Sequence, residues 1–200
     1  MHHVLIGIGP ETHLKYKGLK PILNKPGVGS NLQDHIMIPI DGVRENGERL
    51  GFSPFQGVNP LHYFTWFTSN PYNGPLGDPS IGVGAHIHTP FGSDPYKRPD
   101  IQLASVPFFT LFDWGAMYAE LLGLSDEHIS LNAKDLGKDG VTFVPMILRP
   151  KSVGTIRLAS SNYQDHPIID PQYLKHPDDV KTLVEALKIS KNVLDSKHLK

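Results

Sequence analysis

Residues 7–35 read GIGPETHLKYKGLKPILNKPGVGSNLQDH, with one Gly-x-Gly pair at Gly7 and Gly9 and a second at Gly27 and Gly29. Their reading decides whether the chain opens on a nucleotide-binding loop or on a series of tight reversals. A dinucleotide fingerprint needs three glycines, G-x-G-x-x-G, between a strand and a long helix, so that backbone N–H groups can approach a pyrophosphate. Thr12 stands in the third glycine's place after the first pair, and Leu32 after the second. Pro10 also removes an N–H that a phosphate would use. The glycines therefore read as turn residues, and the chain contains no Walker A sequence.

The flanking residues fill in the local structure. Val4 to Ile8 is a short apolar run that predicts a strand. Pro10 suits the first position of a helix, Glu11 its positive dipole end, and Gly18 its left-handed stop, so a two-turn helix is expected over 10–17. Residues 19–25, LKPILNK, predict a brief strand, Pro26-Gly27 a turn, and VGSNLQDH a compact loop. In HIMIPIDGV (35–43), Ile36, Ile38 and Ile40 alternate with polar or bulky neighbours. That period of two predicts a strand, with Pro39 marking an edge or a bulge.

Farther on, residues 44–100 are broken by turn pairs, and LHYFTWF (61–67) fits helix or strand equally. SIGVGAHIHT (80–89) stands out as a second such stretch, and PDIQLASVPFF (99–109), GVTFVPMILRP (140–150) and GTIRLAS (154–160) predict strands. WGAMYAELLGL (114–124) has helical spacing, whereas 125–140 is polar and reads as a loop. Pro177-Asp178-Asp179 opens a helix in the favoured way. Val180, Leu183, Val184, Leu187 and Ile189 follow as its expected apolar face. Strands separated by turns, with helices at the ends, predict an α+β fold with a mostly antiparallel sheet and helices packed on one face.

Composition narrows the function classes. Nineteen basic residues balance twenty acidic ones without a charged tail, so nothing draws the chain to nucleic acid or an anionic membrane. There is no cysteine, and no apolar run approaches the roughly 20 residues that span a bilayer. MHHVLIGIGP lacks a basic start and a cleavage site, so no signal peptide is expected. His86-x-His88 would put two imidazoles on one strand face, but the spacing supplies no third ligand, and no metal is expected. Asp34 and His35 are adjacent, and adjacent strand residues point to opposite faces, which disfavours a direct side-chain pair. Arg149, Lys151 and Arg157 read as strand-end charges. No G-x-S-x-G elbow appears, and the chain offers no self-evident catalytic set.

Taken together, GIGPETHL and LNKPGVGSNLQDH resemble the glucose–methanol–choline (GMC) flavoprotein oxidoreductases. Members of that family carry Ser-Gly-Ile-Gly-Pro followed by Pro-Gly-Val-Gly-x-Asn-Leu-Gln-Asp-His. Gly7 to Pro10 match the first signature, with Ile6 where the family has serine; Pro26 to His35 match the second, with Ser30 at its free position. NGPLG, PDIQL and the run from Leu148 to Ile189 look like the substrate-domain portion of the same family, in the manner of insect glucose dehydrogenases.

The resemblance implies an FAD-dependent oxidoreductase acting on the CH–OH group of an alcohol or sugar. It implies that residues 1–40 are the edge of an FAD-binding region and 41–200 an incomplete substrate-binding domain, with 149–200 opening the family's C-terminal region. Gly29, Asn31, Asp34 and His35 would lie near FAD, and His35 and Met37 near the substrate. The family's G-x-G-x-x-G loop and catalytic histidine match no residue here, so no catalytic residue is assigned and an isolated chain is expected to be inactive. An extracellular setting is the compartment that the resemblance favours. The competing expectation is a stand-alone degenerate relative that binds a ligand or partner without catalysis; a lyase of the same fold is a third.

Overall fold

The computed structural model describes residues 2–43, 61, 64, 67–68, 83–92, 94–107, 109–111, 113–114, 118–138 and 140–199. The aromatic stretch 61–67 thus falls mostly outside the described residues. The chain divides into two units, Met1–Ile36 with Arg149–Lys181, and Met37–Leu148 with Thr182–Lys200. The fold is α+β with mostly antiparallel strands, as the sequence predicts.

In the first unit, α1 (His2–Leu5) precedes β1 (Ile8–Gly9), so the apolar run at 4–8 is split between a helical turn and a strand. The run fails as one strand because Gly7 turns at φ +94, its N–H bonded back to the Val4 carbonyl at 3.0 Å. Helix α2 (Glu11–Tyr16) follows, with Pro10 as its cap and the Asn24 side chain accepting from the Glu11 N–H. Gly18, at φ +73, ends it, and the Leu19 N–H returns to the Leu14 carbonyl. The chain then lays β2 (Leu23–Asn24) parallel to β1. Leu14, Val4 and Leu158 form the core of this unit, lined by Leu5, Leu19 and Val28.

A second sheet of this unit has the order β10–β9–β3, from β3 (Ser30–Leu32), β9 (Gly154–Arg157) and β10 (Ile168–Asp170), all antiparallel. Strand β3 falls in VGSNLQDH, the segment read from sequence as a compact loop. Its Ser30 and Asn31 are polar and its Leu32 half-buried, and its pairing comes from β9, which is remote along the chain. Helix α5 (Pro177–Leu194), whose residues from Thr182 on belong to the second unit, starts where expected. Its buried positions are Asp179, Thr182, Leu183, Ala186 and Ser190, while Val180 and Val184 are exposed. The inward face is offset from the expected one because small and polar residues, not valines, form it.

The second unit is built on the sheet β4–β8–β7–β6, from β4 (Ile36–Met37), β8 (Gly140–Ile147), β7 (Ile101–Val106) and β6 (Val83–Ile87). Strand β5 (Ile40–Val43) also pairs with β8. The single strand expected over 35–43 is broken between Ile38 and Pro39. Extending the register Ile40↔Phe143 by two residues brings Ile38 opposite Pro145, and neither Pro39 nor Pro145 has an N–H for the ladder. In β7, buried Ile101 and Leu103 alternate with half-buried neighbours. Phe109, Leu111 and Ala119 form the core, flanked by α3 (Tyr118–Leu122) and α4 (Asp126–Leu131). Helix α4 replaces the loop expected over 125–140: the Ser125 hydroxyl accepts from the His128 N–H, and Asp126 and Glu127 occupy the first turn.

Candidate functional site

The segment from Pro26 to His35 is held in shape by β9. Val28 and Ser30 donate N–H bonds to the carbonyls of Lys25 and Gly27, so two successive turns lead into β3. Ser30 then pairs with Thr155 and Leu32 with Gly154, with a shift in register between them. Asn31 lies within that shift at φ +68, a left-handed conformation that asparagine tolerates better than most residues.

Gly29, at φ +70, faces the chain itself. A Cβ there would strike the Ile156 carbonyl oxygen and come within 2.9 Å of the Arg157 guanidinium. A Cβ on Gly7 would likewise strike the Lys20 carbonyl oxygen. Both glycines are required by the chain's approach to itself, in agreement with their reading as turn residues.

Arg157 fastens the same segment. Its guanidinium donates to the Gly29 carbonyl oxygen, to the Ile156 carbonyl oxygen at 3.1 Å and to the Ser30 hydroxyl at 2.9 Å. Lys17 donates to the Ala159 carbonyl at 2.6 Å. His13 Nε2 accepts the Leu158 N–H at 3.1 Å. Burial first, then the positive charges of Arg157 and Lys17, lower the His13 pKa from its ordinary value. The ring is thereby favoured in the neutral form that leaves Nε2 an acceptor. These cations serve main-chain carbonyls, which is their structural use here.

The resemblance-derived residues occupy the exposed side of the segment. Asn31, Asp34 and His35 are all exposed, as is Met37 at the start of the second unit. Asp34 does not pair with the His35 ring: one carboxylate oxygen accepts the His35 backbone N–H at 2.8 Å. Its other oxygen accepts the Tyr173 hydroxyl at 2.6 Å. The Tyr173 hydroxyl, followed by the His35 N–H, lowers the Asp34 pKa, and Asp34 in turn raises that of Tyr173. Sequence reasoning missed Tyr173 and Arg157 as partners of this segment, and His13 as the partner of Leu158 just after β9. No local spacing could reveal contacts between residues more than a hundred positions apart.

Two other places hold functional side chains. A cavity of about 440 Å³ in the second unit is lined by Asp41, Val43, Phe109, Asn132, Lys134, Asp135 and Lys138. Asp41 accepts from the hydroxyls of Thr110 and Thr142, and Asp135 pairs with Lys138 at 2.7 Å. His86 lies exposed on β6, opposite Gln102. Among the described residues, no group of three or more His, Cys, Asp or Glu is placed to hold a metal ion.

The residues present can be tested against an FAD cofactor. No buried side-chain nitrogen or oxygen among the described residues lacks a hydrogen-bond partner, so none waits inside the fold for a ligand. The space beside Gly7 and Gly29 is filled by protein backbone. What remains is an exposed polar edge from Asn31 to His35. That edge fits a contribution of hydrogen-bonding groups to one side of a cofactor, not an enclosing pocket.

Comparison with known proteins gives this geometry its context. Residues 150–200 match the family GMC oxidoreductase. An alcohol dehydrogenase [acceptor] of Pseudomonas putida is 30% identical over 98% of this chain and 32% of its own length. A glucose dehydrogenase [FAD, quinone] of Drosophila melanogaster is 28% identical over 93% of this chain and 27% of its own. Among solved structures, a formate oxidase of Aspergillus oryzae, studied for its FAD modification, superposes with a TM-score of 0.68 at 19% identity, over 98% of this chain and 35% of that one. A pyridoxine 4-oxidase gives 0.62 at 20% identity, over 98% of this chain and 30% of that one. These two show the shared fold. The chain spans about a third of the length of the curated relatives it matches. With the signatures at 7–10 and 26–35 and the match at 150–200, the chain is similar along most of its length to the GMC oxidoreductases, and its curated relatives include insect glucose dehydrogenases.

Proposed function

We propose that this chain forms part of an FAD-dependent oxidoreductase that oxidises the CH–OH group of an alcohol or sugar. In this reading Gly29, Asn31, Asp34 and His35 lie along the cofactor, and His35 and Met37 face the substrate. The observation that carries the proposal is the exposed polar edge of Asn31, Asp34 and His35, which adjoins Ser30 and Leu32, pinned by β9 and Arg157, while its own polar groups remain accessible. An edge so fixed can orient a bound molecule without first being ordered.

When bound, FAD would accept the hydride leaving the alcohol carbon. The hydroxyl proton must pass to a base, and none of the eleven histidines of this chain matches the one the family uses. The residues here therefore bind and orient, while the base and the main nucleotide loop are supplied by sequence outside these 200 residues. The chain alone is accordingly proposed to be inactive.

Two measurements test this. Sequencing the native transcript should reveal an open reading frame that continues to a G-x-G-x-x-G loop on one side and a histidine-bearing C-terminal stretch on the other. Fluorescence titration of the isolated chain with FAD should give weak binding or none. A native start and stop at these limits, or a stoichiometric yellow complex bleached by an alcohol, would overturn the proposal.

A further inference from the structure

The contact between Tyr173 and Asp34 joins residues 139 positions apart, yet both lie close to one register of one sheet. Thr155 of β9 is the common partner: it pairs with Ser30 of β3 on one side and with Asp170 of β10 on the other. Asp34 lies four residues beyond Ser30 and Tyr173 three beyond Asp170. The phenol thus crosses from one edge of the sheet to the other.

The chain takes an unfavourable path to place it there. Gln172, at φ 53, and Leu174, at φ 58, flank Tyr173, and both are non-glycine residues in the left-handed region. Such conformations persist only where surrounding bonds hold them. Here Asp170 accepts from the Gln172 backbone N–H at 3.3 Å and from its side-chain amide at 3.0 Å, while Lys175 donates to the Gln172 side-chain oxygen at 2.8 Å. The turn is closed on itself, and Tyr173 projects from its middle.

We propose that Tyr173 is a positioning residue, a latch whose hydroxyl fixes the Asp34 carboxylate so that Asp34 holds the backbone of His35 at the end of the polar edge. For the role in a cofactor site this inference rests on the function proposed above, although the latch itself is a property of the chain. An isolated hydrogen bond in water is weak, because each partner can bond to solvent instead. The latch gains from its ionised acceptor and from anchors already fixed by the sheet, which leave little freedom to lose. Tyr173 is held in its protonated, donating form by Asp34, in keeping with the raised pKa of its phenol.

Amide hydrogen exchange at His35 in the full chain tests the latch without any flavin. Tyr173→Phe should speed exchange of the His35 N–H by roughly threefold to tenfold. Tyr163→Phe, at an exposed tyrosine on another turn, should leave it unchanged. In an Asp34→Ala background, where the shared acceptor is gone, adding Tyr173→Phe should have no further effect. An unchanged His35 rate in Tyr173→Phe overturns the latch, and so does a uniform acceleration of all amides, which would make Tyr173 a residue of the fold at large. Where the FAD-bearing protein is in hand, Tyr173→Phe should also raise the FAD dissociation constant, while a purely structural tyrosine would leave it alone. An unchanged FAD dissociation constant in that FAD-bearing protein, with His35 exchange behaving as expected, would remove the Asn31–His35 edge from the proposed cofactor site and leave the latch standing.

Discussion

Gly29 and Ile156 are backbone neighbours across the sheet: the Ile156 N–H donates to the Gly29 carbonyl oxygen at 2.8 Å, and a side chain on Gly29 would strike the Ile156 carbonyl. The two glycines of Pro26–Gly29 therefore have different duties, although the sequence writes them as one motif. Gly27 has no heavy atom within 4 Å of where its Cβ would be, and no positive φ.

Alanine substitution should separate them. Gly29→Ala combines a left-handed backbone with a backbone collision and should lower stability by about 2 kcal/mol or more. Gly27→Ala should be neutral, or stabilising by about 0.5 kcal/mol, through loss of freedom in the unfolded chain. Urea unfolding of the two variants checks this, and equal effects would contradict the assigned role of Gly29.

A second prediction concerns the start of α5. The Asp179 carboxylate, 2% exposed, accepts the backbone N–H groups of Lys151 at 2.9 Å and Ser152 at 2.8 Å, while the Ser152 hydroxyl accepts from the His176 N–H at 3.0 Å. The helix and the loop before β9 thus exchange hydrogen bonds in both directions. Asp179→Ala leaves two amides without their acceptor and should cost about 2 kcal/mol. The neighbouring Asp178 is only partly buried and pairs with Lys151 at 2.7 Å, so its replacement by alanine should matter far less. Thermal unfolding of both variants provides the comparison. Indistinguishable midpoints would contradict the role given to Asp179.

Which parts of this structure could be read from sequence follows from where their determinants lie. Helix α5 carries its own start signal in Pro177-Asp178-Asp179, and β8 its own apolar run, so both stand where expected. The buried face of α5 was misread because hydropathy favours Val180 and Val184, at 42% and 45% exposure, over Thr182 and Ser190. Ser190 can be buried because its hydroxyl donates to the Ala186 carbonyl at 2.8 Å. Helix α4 was missed although Ser125 caps it, because it buries no residue and so has no apolar stripe. At the candidate site, Asp34 and His35 were legible as a motif, whereas Tyr173 and Arg157 reach it only through the pairing of β3, β9 and β10.

The last prediction is a pH dependence carried by His13. Its folded pKa lies below the ordinary 6.5, through burial first and the neighbouring Arg157 and Lys17 next. Below the ordinary value the unfolded chain therefore binds more protons than the folded one, and stability rises with pH across that range. The contribution is present above pH 6.5 and is lost as the pH falls through the folded pKa, when protonation of Nε2 also breaks the bond from the Leu158 N–H. The urea midpoint of the native chain should fall between pH 7 and pH 5. His13→Gln keeps a neutral acceptor within reach but cannot titrate, so its midpoint should fall less steeply over the same interval. A parallel fall in both proteins would assign the pH response to other groups and remove His13 from the account of how β9 is held.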